Sequence, residues 1–210
     1  NNLDAERLIL SSVTVVYPYT PPALPTPGSI TQIAPNGTWT WFNDERAIWH
    51  DGVLFAGYMR NDGYAGITRY DPATNKSTHS TIGTATSVQV DDHNNPSLTI
   101  LPDQRVLATY SKHGTASQFY TRISTSSDPR SLSDWGAETV VTTPAGNTYA
   151  NTMRLSGSGV GENNTIYNFS RCINYNPCLT RSTTNGASWG STVQVILSLI
   201  HISEPTRPRL

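Results

Sequence analysis

A strand–turn–strand pattern decides the architecture of this chain, and it is clearest in residues 96–113, PSLTILPDQRVLATYSKH. A short apolar run ends at Leu101, the turn formers Pro102 and Asp103 follow, and a second apolar run leads to His113. Short runs of β-formers separated by turn residues are typical of antiparallel hairpins. The stretch therefore predicts two adjacent antiparallel strands.

The same pattern occurs once before this hairpin and once after it, at 46–60 and at 151–171. A further alternating strand is predicted after each pair, at 66–70, 118–124 and 177–182. Repeats of roughly 50 residues with up to four strands are typical of β-propeller blades, whereas solenoid repeats are generally shorter. We therefore predict an all-β fold, a partial β-propeller with about three antiparallel blades.

The composition excludes several classes of partner. Charged residues make up 14% of the chain and the formal net charge is −1, so no field attracts nucleic acid or an anionic membrane. No apolar run approaches the ~20 residues that a membrane-spanning helix needs. We expect neither a nucleic-acid partner nor a membrane partner.

The two ends differ from the repeats. We interpret residues 1–30 as an N-terminal strand with a proline-rich linker, and residues 31–196 as the propeller domain. The chain begins without Met, and residues 197–210 include a stretch that resembles a translated sequencing adapter. We expect that stretch to be a non-native tail, and the chain to be a piece of a longer protein with little activity by itself.

Cys172 and Cys178 flank a five-residue loop, which is short enough for a disulfide, although the spacing does not prove one. Four triplets match the N-glycosylation acceptor pattern, beginning at Asn36, Asn75, Asn163 and Asn168. Both features favour an oxidising environment. We predict a secreted, extracellular protein.

Ionisable side chains recur at equivalent positions of the repeats. The strand nearest the axis of a propeller lines the central channel, so equivalent positions of successive blades converge there. The positions at the end of the second strand are Arg60, His113 and Arg171, and those at the start of the first strand are Asp44 or Arg46, His93 and Tyr149. This placement predicts a shared polar pocket.

Each of these residues also has a purely structural interpretation. His93 follows Asp91 and Asp92 in a capped turn, or it serves as a general acid or base, since imidazole exchanges protons near neutral pH. A metal site is disfavoured because adjacent residues of an extended chain point to opposite faces. His113 could be solvated, Tyr149 could pack as a core aromatic, and Arg171 could belong to a structural ion pair.

The chain resembles the BNR-4 repeat family. The similarity covers about residues 38–190 and rests on five motifs, which are Trp39–Ile48, the strand with Gly57 and Tyr58, Asp91–Leu98, Leu101–Asp103 and Tyr110–His113. The family includes ulvan-lyase-like enzymes built as seven-bladed propellers, so the resemblance implies three blades of an expected seven.

The resemblance also implies a reaction and a set of site residues. In ulvan lyases of this shape two histidines, a tyrosine and an arginine line the cleft, and by motif they correspond to His93, His113, Tyr149 and Arg171. The implied activity is β-elimination on an anionic, uronate-containing polysaccharide. Arg171 would bind the carboxylate with help from His113, while His93 and Tyr149 would share the base and acid roles. We expect no cofactor and no metal, and a monomer at full length.

Two other functions remain open. A sialidase-type or rhamnose-releasing glycoside hydrolase would share the fold, and residues 182–189 resemble a degenerate Asp-box, a hairpin marker of sialidase-like propellers. A non-catalytic glycan-binding propeller is the third possibility, in which exposed aromatics such as Trp39, Trp41 and Tyr64 would stack on sugars.

Overall fold

The computed structural model describes residues 31–38, 46–114, 116–156 and 164–196. Within these ranges, three four-stranded antiparallel sheets each run in chain order. The first sheet contains β1 (Ala47–His50), β2 (Val53–Met59), β3 (Ala65–Asp71) and β4 (Lys76–Thr81). The second contains β5 (Ser97–Ile100), β6 (Val106–Ser111), β7 (Gln118–Ile123) and β8 (Thr139–Thr142). The third contains β9 (Thr148–Arg154), β10 (Ile166–Arg171), β11 (Pro177–Ser182) and β12 (Val193–Gln194).

Three successive four-stranded sheets in meander order are typical of propeller blades, and the predicted all-β partial propeller is confirmed. The three hairpins and the third strands lie where the repeat predicts them. The outer strands β4 and β8 were not located from sequence. β4 reads Lys-Ser-Thr-His-Ser-Thr, which carries no apolar alternation because an outer strand has little core to face.

The first junction, between the first and second blades, is a wide apolar core. Its members are buried residues of both blades that form one cluster: Val53, Phe55, Met59, Ala65, Ile67, Ile82, Leu98, Val106, Ala108, Tyr110, Tyr120 and Trp135. Every residue of β6 is buried, because this strand lies between two neighbouring blades. Its even-numbered residues face the first blade, which is the period of two expected of a strand.

The second junction, between the second and third blades, is more polar. Thr99 Oγ1 donates hydrogen bonds to the carbonyl oxygen of Thr152 at 3.1 Å and to its Oγ1 at 2.8 Å. The backbone N–H of Thr152 in turn donates to Ser97 Oγ at 3.0 Å. The apolar contribution is smaller and includes Leu101, Leu107 and Ile166.

The Asp-box-like hairpin is a structural turn. Ser182 Oγ accepts a hydrogen bond from the backbone N–H of Gly186 at 2.9 Å. Thr184 Oγ1 accepts one from the backbone N–H of Ser188, also at 2.9 Å. Thr184 therefore supplies the acceptor that the usual aspartate would supply. Trp189, which ends the motif, packs edge-on against Phe119.

Some predicted features lie outside the described residues. They include residues 1–30, residues 197–210, Trp39, Trp41 and Asp44. Within the described part of the chain, no helix is both long enough and apolar enough to span a bilayer.

Candidate active site

The loop before β5 is organised by one carboxylate. Asp91 precedes a single 3-10 turn, Asp92–Asn94, and its Oδ1 accepts the backbone N–H of His93 at 2.9 Å. Aspartate is a favoured residue at this position because its short side chain reaches back to the unsatisfied N–H groups of the turn. The capped turn considered from sequence is therefore present.

Asp91 also holds two imidazole rings. Its Oδ1 lies 2.6 Å from His93 Nδ1, and its Oδ2 lies 2.9 Å from His113 Nδ1. The two rings are stacked, with centroids 3.8 Å apart and planes 18° apart. Asp91 thus joins two histidines that are twenty positions apart in the chain, and Asp92 Oδ1 lies 2.9 Å from the same His93 Nδ1.

Three hydrogen bonds keep Asp91 ionised. Burial by itself raises the pKa of this carboxyl, but the bonds from the backbone N–H of His93 and from the rings of His113 and His93 outweigh it, so the pKa is lowered. An ionised carboxylate only accepts hydrogen bonds, so each Nδ1 must carry the proton. In a neutral ring the lone pair is then on Nε2, the nitrogen turned away from Asp91.

The backbone of His113 is fixed separately. Strand β6 ends at Ser111, and the N–H of His113 donates to Gln89 Oε1 at 2.6 Å. The same oxygen accepts Asn94 Nδ2 at 3.0 Å. Gln89 therefore ties the end of β6 to the turn that contains His93.

Tyr149 reaches the histidines because the edge of the third blade is irregular. The pairing of β9 with β10 shifts register between Phe169 and Arg171, and Tyr149 has a φ of +61°. Such a bulge re-aims side chains, and a left-handed tyrosine is uncommon. The Tyr149 ring lies 5.3 Å from the His93 ring, centroid to centroid.

Arg171, the last residue of β10, lies next to Tyr149. Its guanidinium carbon is 5.0 Å from the centroid of the Tyr149 ring and 5.2 Å from that of Tyr175. Its Nη2 is 3.5 Å from Thr148 Oγ1. None of the ion pairs among the described residues includes Arg171. The cation is thus held by rings and a hydroxyl group rather than by a carboxylate.

The structure brings all four sequence-predicted site residues together. We call them the His–Tyr–Arg cluster, and its members are His93, His113, Tyr149 and Arg171. The second blade contributes the histidines and the third blade contributes Tyr149 and Arg171, so the cluster straddles the second junction.

The equivalent residues of the first blade have other contacts. The Arg60 guanidinium binds Asp62, with Nη2 2.7 Å from Oδ2. Arg46 is buried, and its Nη1 donates to the carbonyl oxygen of Ala150 at 2.8 Å. The repeat therefore locates candidate positions, and the first blade uses its own for a salt bridge and for a hydrogen bond to the third blade.

Asp91, His93 and His113 also carry ligand atoms that lie within 4.8 Å of one another, as a metal site would require. Each Nδ1, however, donates its proton to Asp91, and a protonated ring nitrogen has no lone pair with which to bind a metal. Each Nδ1 also faces a different oxygen of Asp91. The geometry favours a carboxylate that orients two imidazoles.

Sequence reasoning missed two residues of this site. Asp91 was treated as a turn former, although a carboxylate two positions before a histidine is also placed to bind its Nδ1. Tyr175 carried no signal of its own, since it lies in the loop between Cys172 and Cys178. Those cysteines form a disulfide with Cα atoms 5.9 Å apart, which answers a question that the spacing left open.

Similar solved structures are polysaccharide lyases. A structure described as a new family of polysaccharide lyase, PL25 ulvan lyase, aligns with a TM-score of 0.61 at 16% identity. The same lyase bound to -[GlcA(1-4)Rha3S]- gives equal values, and each alignment covers 80% of this chain and 41% of the lyase. Polysaccharide lyase Uly1 aligns with a TM-score of 0.55 at 13% identity, over 81% of this chain and 45% of Uly1.

At these identities the similarity shows the fold, and the chain spans less than half the length of these lyases. A comparison with curated proteins finds no match. The sequence profile of BNR_4, described as BNR repeat-containing family member, matches residues 54–189, which is more than half of the chain. The chain therefore belongs to the BNR repeat-containing family.

Proposed function

We propose that this protein is a polysaccharide lyase that cleaves a uronate-containing polysaccharide by β-elimination. One observation carries the proposal. Arg171, which has no acidic partner among the described residues, contacts the Tyr149 ring, and that ring contacts His93, one of the two imidazoles bound by Asp91. That combination supplies a cation for a uronate carboxylate and groups that exchange protons beside it. The fold shared with ulvan lyases supports the same reaction class.

Charge stabilisation is the larger requirement of this reaction. Removing the weakly acidic C5 proton of a uronate places negative charge on its carboxylate as an enolate. A planar guanidinium can bind both oxygens through parallel hydrogen bonds and strengthen them as charge develops. Arg171 is the proposed group. Arg171 Nη2 lies close to Gly114: a Cβ atom added to that glycine would be 4.0 Å from it. His113 is the residue before Gly114, so it is placed to help Arg171 bind the carboxylate.

His93 and Tyr149 are the proposed base and acid, and either order is consistent with their adjacent rings. The base takes the C5 proton, the C5–H electron pair forms a C4=C5 double bond, and the C4–O4 bond breaks. The acid then protonates O4, which leaves as the new reducing end of the preceding sugar. The products are an unsaturated uronate and a shortened chain, and no electrons enter or leave.

The proposed substrate is a polymer in which a uronate is substituted at O4. The ulvan lyase of similar fold is bound to -[GlcA(1-4)Rha3S]-, which makes a glucuronate–rhamnose-3-sulfate polymer the first to test. We also propose that the protein works outside the cytosol, since the Cys172–Cys178 disulfide suits an oxidising compartment.

The decisive experiment follows near-UV absorbance while the longest available form of the protein acts on that polymer. A C4=C5 bond conjugated with the carboxylate absorbs there, so rising absorbance with falling chain length is the expected result. Free sugar without absorbance would identify a hydrolase instead. Binding without any product would identify a glycan-binding propeller, and either outcome would overturn the lyase proposal.

Replacing His93 tests the site itself. The change His93→Ala removes a proposed proton-transfer group, so kcat should fall by about 100-fold or more. His79→Ala is the matched control, because His79 lies on the outer strand β4 and its ring contacts Thr68. Full activity in His93→Ala would contradict the assignment, and a comparable loss in His79→Ala would point to a general folding defect.

A further inference from the structure

The loop that joins β10 to β11 places one aromatic ring on the cluster from outside. Cys172 and Cys178 are buried at its base, with the latter fully inaccessible, whereas Tyr175 at its tip is 70% exposed. An aromatic side chain so open to solvent gains little from burial. Its position therefore has to be explained by the backbone that presents it.

That backbone is unusual. Asn174 and Tyr175 have φ values of +50° and +63°, two consecutive left-handed residues without a glycine. Each such residue is disfavoured, so surrounding structure has to hold it. The N–H of Tyr175 donates a hydrogen bond to the carbonyl oxygen of Cys172 at 3.1 Å. The N–H of Cys172 donates to the carbonyl oxygen of Asn176 at 3.0 Å. The disulfide closes the same loop covalently.

The result is a second ring against the guanidinium of Arg171. The centroids of Tyr149 and Tyr175 lie 5.0 and 5.2 Å from its central carbon, within the range of cation–π attraction. Tyr149 belongs to the strand β9 and touches His93. Tyr175 belongs to the closed loop, and its ring contacts the Arg171 guanidinium.

We propose that Tyr175 is a positioning residue for Arg171 and that the Cys172–Cys178 disulfide holds it in that position. Arg171 has four rotatable side-chain bonds and no carboxylate partner among the described residues, so its ring contacts limit where the guanidinium points. A guanidinium held before substrate arrives loses less entropy on binding a carboxylate. The inference rests on the proposed function for the identity of that carboxylate.

Two readouts test the proposal. The first needs no substrate: the Arg171 Nε–H resonance, assigned by its disappearance in Arg171→Lys, should be shifted by the ring current of Tyr175. In Tyr175→Ala that shift should be lost, and in Tyr175→Phe it should be retained. A resonance that stays in place in Tyr175→Ala would overturn the proposal whatever the protein acts on.

The second readout is affinity for a glucuronate-containing oligosaccharide. Losing one cation–π contact at an exposed site should weaken binding by about two- to fivefold in Tyr175→Ala, with recovery in Tyr175→Phe. In an Arg171→Met background, which leaves no cation for the ring to contact, Tyr175→Ala should have no further effect, since Tyr175 acts through Arg171. An equal loss in both backgrounds would make Tyr175 an independent sugar platform and would overturn positioning.

The disulfide is tested by the double change Cys172→Ser and Cys178→Ser. Substitution is used instead of a reducing agent because both cysteines are buried. We expect the Arg171 resonance to move toward its position in Tyr175→Ala, and affinity to fall by the same factor. Unchanged resonance and affinity in a folded double variant would remove the disulfide from the proposal. A wild-type protein that shows the ring-current shift but forms no unsaturated uronate would refute the lyase proposal while leaving the positioning of Arg171 intact.

Discussion

The two junctions between blades are built from different interactions. The first buries twelve apolar residues from both blades in one cluster, including Phe55 and Tyr110. The second has two small apolar clusters and a set of hydroxyl groups, with Ser97 and Thr99 of β5 bound to Thr152 of β9. The His–Tyr–Arg cluster lies at the second junction.

This difference has a physical reason. Apolar burial is strong but has no direction, so it holds two sheets together without fixing their exact registration. Hydrogen bonds are weaker in net terms, but their geometry is narrow. A site assembled from two blades needs its groups held at defined distances, and the hydroxyl contacts supply that definition. The first junction therefore supplies mainly stability, and the second fixes the geometry of the site.

The largest expected effect comes from emptying the apolar junction. Phe55 is fully buried, and Phe55→Ala should lower the free energy of unfolding by about 3–5 kcal/mol, through lost burial and a residual cavity. Phe169→Ala is the matched control, because Phe169 is 39% exposed on the third blade and should cost about 1 kcal/mol or less. Urea denaturation measures both, and equal losses would contradict the assignment of stability to the first junction.

A smaller effect is expected at the polar junction. Thr152→Val keeps the shape of the side chain but removes the hydroxyl group bound by Thr99, so unfolding should become easier by about 1–2 kcal/mol. The exposed Thr139→Val on β8 should change stability by less than about 0.5 kcal/mol. If Thr152→Val leaves the denaturation midpoint where it was, the Thr99–Thr152 hydrogen bond adds nothing to the stability of this junction.

The smallest effect concerns pH. The pKa of Asp91 is lowered in the folded state, so its contribution to stability is complete above the ordinary value of about 3.9 and is lost as pH falls through the lower, folded value. Denaturation midpoints from pH 5 down should therefore fall more steeply for the wild type than for Asp91→Asn. Other aspartates with lowered pKa values contribute equally to both proteins. Parallel slopes would show that Asp91 is not held ionised by its histidines.

Much of the fold follows from local pattern. Alternating apolar residues and turn formers locate three hairpins, and their repetition predicts blades, as the structure confirms. Strand β4 is the counterexample: its polar residues pair with β3 through the backbone, so their identity carries little signal. Apolar alternation in the sequence therefore predicts the strands that face a core, but not the strands that only add an edge to a sheet.

Four residues of the candidate site were predicted from the sequence, but Asp91, Tyr175 and the arrangement of the site were not. His93, His113, Tyr149 and Arg171 were singled out by repeat position and by resemblance. That one carboxylate orients both imidazoles depends on folding the end of β6 against the turn at Asp92–Asn94. No spacing in the chain encodes a contact of that kind, because it joins separate segments.

The sequence by itself determined that the chain forms repeated antiparallel hairpins, because strand and turn preferences act over a few residues. Tertiary structure decided which side chains meet. The left-handed Tyr149 turns toward His93, and the disulfide loop turns Tyr175 toward Arg171, even though neither direction is a local preference of tyrosine. Both orientations exist because packed blades and a covalent loop hold backbone conformations that an isolated segment would leave.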